Sequence, residues 1–177
     1  DGLLKVSGHG DTASDGIKLD KGYAIFDGTH VGSSNFQVTV QDEDGNDLEN
    51  LVNEIGNYTG KTFIEIPSKG TYYLKVVADG SWNFSISQSP PPNVEVAPTT
   101  LQGKGDDVVF FLTNPGNHKF TFTHSGQSNF IVSLNGLDNL VNEIGNYKGS
   151  TRYKLESTGY YAFVINADGQ WTAKIEN

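Results

Sequence analysis

Apolar and polar residues alternate with a period of two in short runs along the whole chain. The first half shows it at Phe36-Gln-Val-Thr-Val40, Phe63-Ile-Glu-Ile66, Tyr73-Leu-Lys-Val76 and Trp82-Asn-Phe-Ser-Ile86. The second half shows it at Lys119-Phe-Thr-Phe-Thr123, Phe130-Ile-Val-Ser-Leu134, Tyr161-Ala-Phe-Val-Ile165 and Trp171-Thr-Ala-Lys-Ile175. A period of two places every second side chain on one face, the pattern of strands buried on one side. No stretch carries the stripe of an amphipathic helix. Gly- and Asp-rich turns separate the runs, and Asp79-Gly80 and Asp168-Gly169 read as hairpin turns. The pattern predicts an all-β chain of antiparallel sandwiches.

The strands come in two matching sets. Asn50-Leu-Val-Asn-Glu-Ile-Gly-Asn-Tyr58 recurs unchanged as Asn139 to Tyr147, an offset of 89. Ser68 to Trp82 matches Ser157 to Trp171 at the same offset, and Thr29 to Phe36 matches Thr123 to Phe130 at an offset of 94. Five residues are therefore missing from the second copy between Phe130 and Asn139. The reading is two tandem antiparallel, jelly-roll-like β-sandwich domains of about seven to eight strands each, related by internal duplication. The first spans 1–88 and the second 98–177. Between them, 89–97 is a Pro-rich linker that holds Pro90-Pro-Pro92 and a short strand at Asn93-Val-Glu-Val-Ala97. The segment Asn53-Glu-Ile-Gly-Asn57 reads as a loop crossing between sheets.

Composition narrows the function classes. The chain has no Cys, so neither a disulfide nor a thiolate nucleophile exists. Its net charge of −9 is the wrong sign for nucleic acid. No apolar run reaches the roughly 18 residues of a membrane span. The sequence starts at Asp1 and lacks Met throughout, which points to processing, with export and signal-peptide removal as the expectation.

Four polar positions occur in both copies: His30 and His124, Asn35 and Asn129, Asn53 and Asn142, Glu54 and Glu143. They fit a ligand pocket, but also a structural role, since such side chains satisfy turn backbone groups. The acidic run Asp42-Glu-Asp-Gly-Asn-Asp47 offers Asp42, Asp44 and Asp47 as calcium ligands. Its glycine is fourth rather than sixth, so the register of a twelve-residue calcium loop fails, and a solvated hairpin tip competes with that reading. Tyr73 and Tyr161 could face outward as a sugar platform, while Trp82 and Trp171 belong to the core. Asn57-Tyr-Thr59 and Asn83-Phe-Ser85 fit the glycosylation pattern at Asn57 and Asn83. No catalytic motif is present; Glu54 and Glu143 are what an enzyme reading would have to rest on.

These motifs together resemble a recurrent bacterial and archaeal extracytoplasmic module. It runs Ser34-Asn-Phe36, then Asn50-Leu-Val-Asn-Glu-Ile-Gly56, then Gly70-Thr-Tyr-Tyr-Leu through Ala78-Asp-Gly-Ser-Trp82. It is more distantly similar to the pre-peptidase C-terminal sandwiches of secreted peptidases. The resemblance implies secretion and an accessory role, and it brings no catalytic residues. The expected function is a non-enzymatic cell-surface or matrix building block without a cofactor, whose partner is itself or a cell-surface polysaccharide. Self-assembly would proceed by β-strand addition, with Leu3 and Leu4, or Val94 and Val96, in the donor segment. The competing reading makes Leu4 and Val6 the first strand of their own sandwich, as Thr99 and Leu101 would be in the second copy. A carbohydrate-binding tandem module is the alternative.

Overall fold

The structure, a computed structural model, describes residues 3–177. Every regular element among them is a strand, and no helix is long and apolar enough to cross a membrane. The chain divides between Ser89 and Pro90 into two compact units.

Unit 1 holds nine strands in two sheets, one or two more than the pattern predicts. The first sheet contains β1 (Leu4–His9), β9 (Ser81–Ser87), β4 (Gly22–Val31) and β7 (Tyr58–Ile66), in that spatial order. The second contains β2 (Thr12–Ala13), β8 (Gly70–Val77), β5 (Asn35–Gln41) and β6 (Asp47–Ile55), with β3 (Ile17–Leu19) also paired to β8. All these pairings are antiparallel. The alternation decides which face is buried. Phe36, Val38 and Val40 from β5 meet Phe26 of β4, Trp82, Phe84 and Ile86 of β9, and Leu74 and Val76 of β8 in one apolar core. Phe36, Val38, Val40 and Leu74 are fully buried, and each side chain of that size contributes about 1.5–3 kcal/mol by leaving water.

Unit 2 repeats the plan. One sheet orders β11 (Thr99–Lys104), β18 (Gln170–Glu176), β13 (Gly116–Ser125) and β16 (Tyr147–Leu155). The other orders β10 (Glu95–Val96), β12 (Asp107–Thr113), β17 (Gly159–Ala167), β14 (Asn129–Leu134) and β15 (Asp138–Ile144). Its core centres on Phe111, Phe120, Phe122, Phe130, Phe163 and Trp171.

Four expectations are corrected here. Asp79-Gly80 and Asp168-Gly169 are not hairpin turns. Each joins strands of different sheets, β8 to β9 and β17 to β18, because the chain must wrap around the core. Of the segment expected to cross between sheets, Asn53 to Ile55 are part of edge strand β6, and only Gly56-Asn57 crosses, leading into β7. The supposed linker strand belongs to unit 2, where Glu95 and Val96 pair with Phe111 and Leu112 in parallel, the one departure from antiparallel order among the described residues. Finally, Leu4 and Val96 sit in strands of their own units, and β1 pairs with β9 over six residues. Leu3 precedes β1, and Val94 precedes β10. Neither segment is a free donor arm, since each satisfies its backbone groups at home. Asp1, which the expected N-terminal donor segment includes, lies outside the described residues.

Candidate functional site

The repeated polar residues converge at one end of each sandwich. His30 lies near the end of β4, fully buried, with its ring stacked on Phe36 at 4.3 Å between centroids. Its Nδ1 is 2.7 Å from the carbonyl oxygen of Gly56. A carbonyl only accepts, so Nδ1 carries the hydrogen and donates it. Nε2 then points at Asp79 Oδ1, 3.3 Å away, close enough for electrostatic contact but misaligned for a hydrogen bond. The other oxygen, Asp79 Oδ2, accepts from the Ser33 and Ser34 backbone N–H groups at 2.9 and 3.1 Å and from the Ser33 hydroxyl. Asn57 Oδ1 accepts from the Gly32 N–H at 3.0 Å. Three separate chain crossings are thereby tied together: the β4–β5 turn, the β6–β7 turn and the β8–β9 turn.

Unit 2 builds the same latch. His124 stacks on Phe130 at 4.6 Å, its Nδ1 donates to Gly145 O at 2.7 Å, and its Nε2 faces Asp168 Oδ1 at 3.2 Å. Asp168 Oδ2 accepts from the Gln127 and Ser128 N–H groups, and Asn146 Oδ1 accepts from Gly126. The Ser33 N–H foremost, then its hydroxyl, holds the Asp79 carboxyl below its ordinary range. For Asp168 the Gln127 N–H does the same. Glycine is required above the pair. A Cβ on Gly32 would lie 2.2 Å from Asp79 Oδ1 and 2.6 Å from His30 Cε1, and Gly126 is placed alike against Asp168 and His124. The glycine backbone thus lies directly against each His–Asp pair, with the histidine buried and the carboxylate partly exposed.

The latch assigns only part of the predicted set. His30 and His124 belong to it. Asn35, Asn53, Glu54, Asn129, Asn142 and Glu143 do not; they lie exposed on or beside the edge strands, and Asn53 Oδ1 accepts from Gln37 Nε2 at 3.2 Å. The residues that complete the latch are Asp79, Asp168, Asn57 and Asn146. All four stand in the repeated cassettes, but the Asp-Gly pairs read as turns and Asn57 as a glycosylation acceptor. Asn57 is exposed, and its side-chain oxygen holds the latch. Asn83 Nδ2 instead donates to Thr29 Oγ1 at 2.6 Å, a bond that a glycan on that nitrogen would disturb.

The calcium expectation is not supported. Asp42 spends its carboxylate on the hairpin, accepting from the N–H groups of Asp44 and Asn46 and from Asn46 Nδ2. Asp47 accepts from Gln41 Nε2. Among the described residues no group of three His, Asp or Glu side chains has the geometry to hold a metal. The two tyrosines proposed as a sugar platform are not equivalent. Tyr73 is exposed on β8, whereas Tyr161 occupies the position of buried Tyr72, and both Tyr72 and Tyr161 donate their hydroxyls back to a turn carbonyl, of Ser68 and Ser157.

Unit 2 carries a groove and a cleft of different character. A polar groove of about 490 Å³ runs over the outer face of β11, β18 and β13, lined by Gln102, Lys104, Thr123, Ser125, Gln170 and Thr172. The hydroxyls of Thr123 and Thr172 are hydrogen-bonded across its floor. A smaller cleft of about 210 Å³ opens beside the β14–β15 turn, between Tyr153 and Tyr161.

No family model matches the chain, and no curated protein matches it. Among solved structures it is similar to the crystal structure of a conserved protein of unknown function from Pseudomonas aeruginosa. The identity is 9%, over 99% of this chain and 79% of the other, at a TM-score of 0.30.

Proposed function

We propose that the chain is a non-catalytic, extracytoplasmic building block that assembles with copies of itself by exchanging edge strand β1 between neighbours. The observation that carries this reading is how few β1 side chains pack on the core, although the strand's backbone is laddered to β9. It is an edge strand, and Val6 is the β1 side chain that packs on the core. Leu3 and Leu4 are 59% and 42% exposed. A strand exchanged for the same strand of a neighbour forms an identical ladder against β9, so little free energy opposes the swap. Two features support a structural role. The repeated His, Asp and Asn side chains are spent on holding turns, and the sequence motifs resemble an accessory module of exported proteins.

Register supplies the test. Ser7 pairs with Asn83 across β1 and β9, and the chain has no cysteine of its own. Protein carrying Ser7→Cys is mixed with protein carrying Asn83→Cys under mild oxidation. Strand exchange produces covalent heterodimers, and sedimentation shows assembly that deletion of residues 1–5 abolishes. A strictly monomeric chain at high concentration, with cross-linking confined to the double variant, overturns the proposal.

A further inference from the structure

The two copies differ at the hairpin where five residues are missing. In unit 1 that hairpin closes the end of the sandwich: Glu43 Oε1 accepts from the Thr71 N–H at 2.8 Å, and Leu48 packs against the core. In unit 2 the turn is tight. Asn135 and Gly136 both take left-handed backbone conformations, at φ 55° and 70°. Asn135 also exchanges hydrogen bonds with the Ala162 backbone through its own N–H and its side-chain oxygen. Leu137, in the position of Leu48, is 75% exposed. Tyr153 stands where unit 1 has buried Ile64, and its hydroxyl donates to Asp138 Oδ2. The shortened turn thus uncovers the 210 Å³ cleft, with Leu134 and Leu155 among its apolar lining, Tyr153 and Tyr161 as aromatic walls, and Asp138, Lys154 and Glu156 as its charged residues.

We propose that this cleft binds a single neutral sugar ring, as one unit of a glycan. Its volume is below the roughly 300–1,000 Å³ of pockets for drug-sized ligands, so it admits one ring. Tyrosine presents an apolar face with a polar tip, which suits a ring that is apolar on its C–H face and hydroxylated at its edge. The Tyr153 hydroxyl takes one of the roughly four acceptor positions that a carboxylate offers, leaving Asp138 able to accept from sugar hydroxyls. Lys154 and Glu156 form a solvent-exposed pair at 3.5 Å, which costs little to rearrange around a ligand. Two carboxylates against one ammonium, in a chain of net charge −9, disfavour an anionic ligand. A purely apolar side chain would strip water from Asp138 without replacing its hydrogen bonds.

This inference is independent of strand exchange and uses a different readout. Methyl-labelled protein of residues 1–177 is titrated by NMR with glucose, galactose, mannose and N-acetylglucosamine, and in parallel with an acidic sugar and a quaternary ammonium ion. The expected result is saturable shifts at Leu134, Leu137 and Leu155 with at least one neutral sugar. Tyr153→Phe should weaken that binding about tenfold, the scale of one lost hydrogen bond. Tyr153→Ile, which installs the unit 1 residue, should abolish it while the Trp171 signal stays native. The proposal is overturned if no neutral sugar shifts these methyls at tens of millimolar, or if only the charged probes do. It is equally overturned if the shifts persist in Tyr153→Ile or map to the polar groove instead.

Discussion

The Asp-Gly pair at the sheet-to-sheet crossing yields a quantitative prediction. A Cβ on Gly80 would lie 1.8 Å from the Val31 carbonyl oxygen and 2.9 Å from its carbon. Those are backbone atoms of the neighbouring crossing, so no rotamer change can relieve the overlap. Gly80→Ala must therefore push two crossings apart, drawing Asp79 away from the Ser33 and Ser34 N–H groups. Overpacking costs about 1–3 kcal/mol, and a clash with backbone places this case near the top, at about 3 kcal/mol. For a domain of this size that lowers Tm by roughly 12–24 °C. Gly169→Ala should do the same to unit 2, where the Cβ would meet Ser125 O at 1.8 Å. Each unit holds one buried tryptophan, Trp82 or Trp171, so fluorotryptophan labelling gives one fluorine resonance per unit. Thermal melts followed by fluorine NMR then assign the loss: Gly80→Ala should lower the Trp82 transition and Gly169→Ala the Trp171 transition. A change below about 0.5 kcal/mol, the ordinary scatter of surface substitutions, would refute the crossing as a close-packed joint.

The latch carboxylates make stability depend on acid. Asp79 and Asp168 have folded pKa values held below the unfolded one by backbone donors, so their contribution is present above about pH 4 and is lost as pH falls through the folded values. Melts from pH 6 to 2 should show this decline, shallower in the Asp79→Asn, Asp168→Asn double variant; equal slopes would count against it. At the alkaline end, the hydrogen bond to Asp138 raises the Tyr153 pKa. Its contribution is full below about pH 10 and fades as pH rises through the folded value, which ultraviolet titration of wild type against Tyr153→Phe would detect. Phe130→Ala removes the ring that stacks on His124 and leaves a cavity in the unit 2 core, for a loss of about 3–5 kcal/mol in urea unfolding.

The period of two was sufficient to read the sheets, because a strand buried on one face writes its orientation into every second residue. Phe36, Val38 and Val40 point inward as the alternation requires. Connectivity was not legible by the same rule. Asp79-Gly80 has the composition of a hairpin turn, yet the local sequence does not say whether the next strand returns to the same sheet or to the opposite one. The same gap hid the latch. His30 was visible as a repeated polar residue, but its partner Asp79 is 49 residues away and Asn57 is 27 away, and only the fold brings them together.

Duplication sharpens what each end of the sandwich is for. At the latch end the two copies share their main connections: histidine to carbonyl and carboxylate, carboxylate to two backbone N–H groups, asparagine to glycine, with the Ser33 hydroxyl as an addition in unit 1. That end has little freedom, because each side chain satisfies a backbone group which would otherwise be left unpaired in a tight crossing. The opposite end carries no such obligation, since a hairpin tip can be shortened as long as its remaining backbone finds partners. Asn135 meets that condition with its two bonds to Ala162. Once the tip shortens, Leu137 loses the cover that Leu48 enjoys, and the tyrosine at position 153, still packed on the core, also walls the cleft. A binding surface can therefore arise at this end without any cost to the joint that holds the module together, and the physical division between a fixed end and a variable one makes the cleft the place to look for what distinguishes the second copy from the first.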